Sequence, residues 1–365
     1  MNINKNIVKV MRFSQLYGIR RTIIKVAGRT RNTKLHFFFP RKKVPKNVSL
    51  IGCGQYGFAT ISYFLYKYKG SCFLECYDID RENALSTADF WEYTMVDNWR
   101  DLLENPLCKY VYIASNHYTH TDYAIEAIKQ GKVVYCEKPI AVNQEQLNRL
   151  VSTINKYDAK IYFGYNRPFS KAVEDLVPFI KNTHMPVSMN AFVAAHKLNK
   201  CHWYNNPQEG TRICGNMGHW IDLAMYFFEC RGFVPNRYEL SVTCADINDP
   251  DDNVTVSFMT EYKDLVTITL SSRAEPFEGI NETINIQVGD LISKIDDFRY
   301  QTIWYQDKMK IKRYRPKDVG HAKSILQPYF INLRDNATVV YSTKLMLAIK
   351  DMVINREDKK VFYLK

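Results

Sequence analysis

Along the chain, apolar positions recur at two rhythms, and the change between them divides the molecule. Four short apolar runs, Asn47–Ile51, Cys72–Asp78, Lys109–Ala114 and Lys132–Cys136, read as buried strands. Between them lie the helix-like runs Phe58–Lys69 and Thr121–Gln130, the second closed by Gly131, where a left-handed cap is expected. Strands alternating with helices at this spacing predict a parallel, doubly wound sheet whose ligands gather at the carboxyl ends of the strands. From about Ser170 the rhythm shortens to alternation, as in Val254–Phe258, Leu265–Leu270 and Thr283–Val288, with polar turn-rich stretches such as Asp249–Asn253 between. That pattern predicts an antiparallel-rich sheet, one face on helices and the other needing a cover. A last helix is expected over 337–355, packing through Val340, Leu345, Leu347, Ala348 and Met352.

Composition narrows the class. The 365 residues are 46% hydrophobic and 24% charged, enough for about two domains with a sizeable core, and this excludes a disordered or fibrous chain. No apolar run approaches the roughly 18 residues of a spanning helix, and the stretch from Asn6 to Met11 is too short for a secretory leader, so a cytoplasmic protein is expected. Nine cysteines without metal-ligand spacing read as reduced and mostly buried, with no metal site implied.

The net charge of +12 is confined to one end. Residues 1–46 hold 13 Lys and Arg and no acid, which leaves the remainder with 37 bases against 38 acids. The chain is therefore read as a basic arm (1–46), a nucleotide-binding domain (47–168) and a substrate-binding and oligomerisation domain (169–365). A charge that belongs to an appended arm argues against nucleic acid. Ile7, Val8, Met11, Tyr17, Ile23 and Ile24 interleave with cations, and Phe37, Phe38 and Phe39 follow, so three readings stay open for the arm. It packs within an oligomer, it helps hold an anionic substrate, or it rests peripherally on the inner face of an anionic membrane; its Arg-rich, acid-free composition is also that of an organellar transit peptide.

The first strand runs into Gly52-Cys-Gly54-Gln55-Tyr56-Gly57. In this strand-to-helix context the first glycine permits the turn and the second lets backbone approach a pyrophosphate; the third allows helix against strand, and the helix N-terminus offers free N–H groups. Asp78, 26 residues after Gly52 at the end of the next strand, is placed to accept from the adenosine ribose hydroxyls; Asp80 is its nearest competitor. A carboxylate there favours NAD over NADP, with Arg81 nearby keeping NADP open. The residues after the later strand ends complete the expected site: Ser115, Asn116, His117, His120, Glu137 and Lys138. Tyr63 and Lys67 also form a Y-x-x-x-K pair, but on the helix directly after the glycine loop, where it is read as chance.

Together with Y-I-A-S-N-H-Y-T-H at 112–120, C-E-K-P-I-A at 136–141, G-Y-N-R-P-F at 164–169 and G-N-M-G-H-W-I-D at 215–222, the glycine motif resembles the glucose-fructose oxidoreductase and inositol dehydrogenase (Gfo/Idh/MocA) family over residues 47–360. The resemblance implies a Rossmann domain followed by an open-sheet α/β domain, assembled as a homodimer or homotetramer. It places Lys138 near the nicotinamide, holding the reacting hydroxyl, with Pro139 commonly cis and Glu137 orienting the lysine. His219 matches the histidine of the family's D-x-x-x-H general base, whereas Gly215 stands where the aspartate would be. Asn216 or Asp222 could then orient His219, and a packing role beside Trp220, Leu223 and Tyr226 is the alternative. Tyr165, Asn166 and Arg167, at the entry to the second domain, and Arg212 are candidate substrate contacts, since a guanidinium suits carboxylate or phosphate.

The function expected is an NAD-dependent oxidoreductase moving a hydride between a sugar, by preference a nucleotide sugar of surface polysaccharide synthesis, and nicotinamide. Two alternatives accompany it: a non-catalytic NAD-binding regulator, with Gly215 marking a decayed dyad, and a glycoside-cleaving enzyme that recycles NAD.

Overall fold

The computed structural model describes residues 3–181, 183–199, 202–273, 279–330 and 334–365, so Cys201 lies outside the described residues. Two compact units emerge, one of residues 17–164 with 321–334, the other of residues 1–16, 165–320 and 335–365.

The first unit is built on six parallel strands: β1 (Val48–Ile51), β2 (Phe73–Tyr77), β3 (Thr94–Met95), β4 (Tyr110–Ile113), β5 (Val133–Cys136) and β6 (Ile161–Phe163). They lie in the order β3-β2-β1-β4-β5-β6, the doubly wound arrangement that the alternating pattern predicts. The middle strands are continuous apolar runs because helices cover both faces; all four residues of β1 are buried. Two helices, α1 (Ile3–Tyr17) and α2 (Ile19–Thr30), precede the sheet. The crossovers carry α3 (Ser62–Lys69), α4 (Arg81–Trp91), α5 (Trp99–Glu104), α6 (His120–Lys129) and α7 (Gln144–Tyr157). Gly131 has the left-handed φ of 68° expected of it after α6.

The arm is where structure and pattern diverge. Gly18, at φ 86°, breaks it into two helices. Helix α1 belongs, up to Leu16, to the second unit, and α2 packs inside the first, burying Ile24, Ala27 and Gly28. A side chain at Gly28 would put its Cβ 2.8 Å from Gln55 Oε1 and 3.0 Å from Phe58, so a larger residue there would require the Gln55 and Phe58 side chains to shift. Arg21 donates to Ala59 O and, at 2.9 Å, to Thr60 Oγ1, and Gln55 Nε2 donates to Lys25 O (3.3 Å). Phe39, which the membrane reading of the arm would place at a lipid surface, sits among the rings of Tyr63, Tyr66, Phe90 and Trp91, whereas Phe37 and Phe38 are exposed. Among the described residues no helix is long and apolar enough to cross a membrane.

The second unit begins with the short helices α8 (Lys171–Glu174) and α9 (Val177–Ile180) and is dominated by a nine-stranded sheet. Its strands are β7 (Val187–Ala194), β8 (Arg237–Cys244), β9 (Asn253–Thr260), β10 (Leu265–Ser271), β11 (Asn281–Val288), β12 (Leu291–Asp296), β13 (Tyr300–Tyr305), β14 (Lys308–Arg313) and β15 (Lys359–Tyr363). The order is β14-β13-β12-β11-β7-β10-β9-β8-β15, antiparallel throughout except for the β7–β10 pair. Alternation is explicit in β7, where Val187, Met189, Ala191 and Val193 are buried and Ser188, Asn190 and Phe192 are exposed. The inner face receives α10 (Gly218–Arg231), and α12 (Asn336–Asn355) packs on α10. The outer face shows Phe192, Met259, Leu265 and Ile292.

The last helix to name, α11 (His321–Ile325), returns the chain to the first unit, where Tyr112 Oη donates to Ile325 O (2.9 Å) and Gln327 Nε2 to Phe163 O (3.0 Å). Six of the eight described cysteines are buried, and all eight are free thiols.

A buried ion pair ties α10 to the sheet of the second unit. Both Arg231 and Asp264 have fully buried side chains; the guanidinium meets the carboxylate in two bonds of 2.5 and 3.0 Å, and Val187 N–H and Thr260 Oγ1 complete its shell. Asp264→Ala, which strands the buried guanidinium, is expected to cost about 3–5 kcal/mol in urea unfolding; the double change Arg231→Met with Asp264→Leu should recover most of that loss.

Candidate active site

The glycine loop is held by contacts that no side chain could share. A Cβ on Gly52, whose φ is 96°, would collide with the Ala114 carbonyl and the Ser115 nitrogen, and one on Gly57 would collide with the Gly52 carbonyl. Gly54 differs: an added Cβ would meet nothing within 4 Å, so its backbone faces open space. The helical turns after it start at Gln55 and pass through a widened turn at Gly57–Ile61 into α3, and the first-turn N–H groups have no partner within the helix. A backbone bare of side chains beside free N–H groups fits the pyrophosphate of a dinucleotide.

Asp78 closes the other side of the loop. Its Oδ2 accepts from Cys53 N–H (2.6 Å) and its Oδ1 from Asp80 N–H (2.9 Å). Burial raises its pKa, and these two bonds oppose the rise. The competitor Asp80 is instead the N-cap of α4, accepting from Glu82 and Asn83 N–H, so Asp78 is the acid at the loop. Arg81, the reason for keeping NADP open, pairs with Asp97.

At the ends of β4 and β5 the predicted residues divide. Ser115 Oγ bonds Thr119 Oγ1 (2.7 Å), Asn116 is exposed, and His117 is buried with its ring 5.9 Å from that of His120. His120, predicted to touch cofactor, is 1% exposed and bridges two loops: Nδ1 lies 2.9 Å from Pro139 O and Nε2 3.0 Å from Ser115 O. Burial pushes its pKa down to about 4 despite those two carbonyls. Glu137 is also buried, its pKa raised by desolvation. Its carboxylate accepts from the Tyr135 hydroxyl (2.8 Å), with Tyr56 as a second hydroxyl partner, and lies against Gly164, where a Cβ would approach to 2.5 Å. It reaches the Lys138 main-chain N–H at 3.3 Å. Lys138 is half-buried and the Lys138–Pro139 bond is cis.

In the second unit most of the predicted substrate contacts are occupied by the fold. Arg167 is 5% exposed; its Nε and Nη2 donate to Glu282 at 2.8 and 3.0 Å, Trp220 Nε1 donates to the same carboxylate (2.8 Å), and the guanidinium stacks 4.3 Å over the Trp220 ring. Its fork therefore faces Glu282, a partner 115 residues away in sequence. Asn166 donates to Val319 O, and Arg212 donates to His196 O (2.7 Å) and lies 3.7 Å from Asp252. Asp222, fully buried, accepts from Ser342 Oγ on α12 (2.9 Å).

Three predicted residues of this unit remain together at the start of α10. His219 is half-buried with the Tyr165 ring edge-on at 6.0 Å, and Asn216 is half-buried with an Oδ1 that takes no hydrogen bond among the described residues. Gly215 is buried. Sequence reasoning missed the supports: Tyr135 holding Glu137, Glu282 holding Arg167, and Arg31 of the arm, whose Nη1 donates to Cys53 O (3.0 Å). Only Arg31 left a signal, as one of many cations in an acid-free segment.

Residues 46–165 match a family model described as "Oxidoreductase family, NAD-binding Rossmann fold". Oxidoreductase P35 of Formosa agariphila is 32% identical over 125 residues, 33% of this chain and 38% of that protein. Glucose-6-phosphate 3-dehydrogenase of Bacillus subtilis is 25% identical over 192 residues, 50% and 54% of the two chains. These matches thus span between about two fifths and half of the curated relatives' lengths. Levoglucosan dehydrogenase, solved with NADH and levoglucosan, superposes with a TM-score of 0.70 at 15% identity, covering 88% of this chain and all of that one; at this identity the likeness is one of fold.

The histidine between the loops generates a pH prediction. The unfolded chain binds a proton near the ordinary pH 6.5, whereas the folded protein resists it down to about pH 4. Stability is therefore expected to fall as pH drops through this window, by up to roughly 3 kcal/mol, and to be insensitive to His120 above pH 7. Urea titrations at pH 7, 5.5 and 4.5 should show this slope in the native chain and its loss in His120→Gln.

Proposed function

We propose that the chain, whose residues 46–165 match the Gfo/Idh/MocA oxidoreductase family, is an NAD-dependent oxidoreductase acting on a CH–OH group of a sugar or cyclitol. The observation that carries the cofactor reading is the bare backbone at Gly54, open for at least 4 Å, with the Asp78 carboxylate fixed beside it through Cys53 N–H. Pyrophosphate on the loop and a ribose hydroxyl pair on Asp78 use both features at once. When bound, the nicotinamide supplies the hydride acceptor and donor.

The chain's own part is to hold the substrate and move one proton. Lys138 Nζ is assigned to the reacting hydroxyl, donating to its oxygen and sharing its proton as the carbonyl forms. His219 is assigned the base role by its match to the family's histidine, and the partnerless Asn216 Oδ1 is suited to accept from a neighbouring hydroxyl of the substrate. The wider assignment, a nucleotide sugar in surface polysaccharide synthesis, keeps its support in the sequence resemblance. It gains none from the cations, because Arg167 and Arg212 meet protein acceptors and Arg21 lies on the helix behind the glycine loop. A homodimer or homotetramer that covers the apolar outer face of the nine-stranded sheet belongs to the same proposal. Gly215 favours the second reading, an NAD-binding regulator without turnover.

One substitution separates the two. Lys138→Ala is expected to lower turnover of the oxidised sugar by about 10²- to 10⁴-fold while the Kd for NAD, measured by calorimetry, stays within about twofold. A substrate screen is needed first, and native mass spectrometry of protein purified without added ligand supplies its starting point by weighing any co-purified dinucleotide and sugar. Turnover that survives the substitution sinks the role of Lys138; tight NAD binding without turnover on any sugar, cyclitol or sugar nucleotide selects the regulator.

A further inference from the structure

The arm brings a cation to the cofactor loop. Arg31 lies outside the region that matches the family, at the C-cap of α2, in a left-handed conformation with φ 52°. Its place is set by α2, which is seated on the glycine-loop helix by the Gly28–Gln55 approach and by Arg21 on Thr60. From there Arg31 Nη1 donates to Cys53 O (3.0 Å) and Ser86 Oγ (3.4 Å), and the guanidinium lies 5.4 Å over the Phe58 ring. Cys53 is the residue whose N–H binds Asp78 (2.6 Å), so a single loop residue carries the acid on its nitrogen side and the guanidinium on its oxygen side. Asp78 and Asp80 both lie near enough to act on the charge of Arg31.

We propose that Arg31 is a specificity-determining residue of the dinucleotide site, setting how strongly NAD is preferred over its 2′-phosphorylated form. This rests on the cofactor reading above. Asp78 accepts from a free ribose 2′-hydroxyl and repels a phosphate attached there, and Asp80 adds to the repulsion. Arg31 opposes both: a half-buried planar guanidinium suits a phosphate, and its charge weakens the acids' field even where it makes no direct contact. Two acids against one cation leave NAD preferred, but by less than the acids alone would impose. Arg81, the other nearby cation, is paired with Asp97 in the open and contributes less.

The test measures Kd for NAD⁺ and for NADP⁺ by calorimetry on the full chain. Arg31→Met, which keeps the stem and removes the charge, is expected to weaken NADP⁺ about 5- to 10-fold more than NAD⁺, and Arg31→Lys to restore much of the native ratio. The ratio in the native chain should also shift toward NADP⁺ as salt is raised from 0.05 to 0.5 M, because screening weakens the net repulsion by the two acids, and the shift should be larger in Arg31→Met, where no cation offsets them. Should the methionine variant fail to fold, Arg31→Gln retains a donor for Cys53 O and reads the charge alone. Equal weakening of both dinucleotides, or no change in either, overturns the proposal and makes Arg31 a strap that fastens the arm. A native chain that binds neither dinucleotide overturns the cofactor reading itself, an outcome visible before any variant is made.

Discussion

The first unit is organised by a place where three stretches of backbone come too close for side chains. Gly52 lies against Ala114 and Ser115 at the end of β4, and Gly57 lies against the Gly52 carbonyl. Because neither contact tolerates a Cβ, β1, β4 and the helix after the loop are locked at one spacing, and the same closeness leaves the backbone at Gly54 facing open space. The steric constraint that packs the sheet and the cradle that suits a pyrophosphate are one structure. Asp78 is then placed by a bond to the loop itself, Cys53 N–H to Oδ2, so the acid follows the loop wherever the sheet puts it.

Two further layers depend on that lock. The helical turns behind the loop present Gln55, Phe58 and Ala59 outward, and Gly28 lets α2 settle on them. Cations in such an arm would ordinarily face solvent; here Arg21 and Arg31 end on loop and helix oxygens instead. On the inner side, Glu137 stands between Tyr135 and the bare Cα of Gly164, fixing the start of the Lys138–Pro139 segment. Desolvation favours the protonated form of this carboxyl and the neutral form of His120, so the supports of the site are uncharged more readily than their sequence suggests.

The second unit uses charge for packing. Arg167 with Glu282 and Arg231 with Asp264 are buried pairs that join segments far apart in sequence, and breaking either leaves a buried charge. A sequence reading sees only an arginine at a strand end and assigns it to a ligand, because the acid that neutralises it comes from a different strand of the sheet. Asp222 is similar: its position three residues after His219 suggests one partner, and α12 supplies Ser342 as another.

Legible along the chain were the local and periodic features: a doubly wound parallel sheet with four of its six strands, the glycine loop and the acid at the end of the next strand, alternating strands in the second unit and the helix at its end. These follow from spacing, and spacing is written along the chain. Which polar groups stay open to a ligand is settled by packing, after the chain has folded. Arg167, Arg212, Asn166, His120 and Glu137 could each have faced a ligand, and each is turned to a protein partner, for Arg167 and Asn166 one more than a hundred residues away; Asn216, by contrast, is left with a buried oxygen and no partner among the described residues. The arm shows the same division. Its charge was plain in the sequence, but its destination lies in contacts such as Arg21 with Thr60 and Arg31 with Cys53 O, which exist only once α2 and the glycine loop are in place. Burial and pairing are properties of the folded arrangement, and a buried polar group takes whichever partner the packing brings to it.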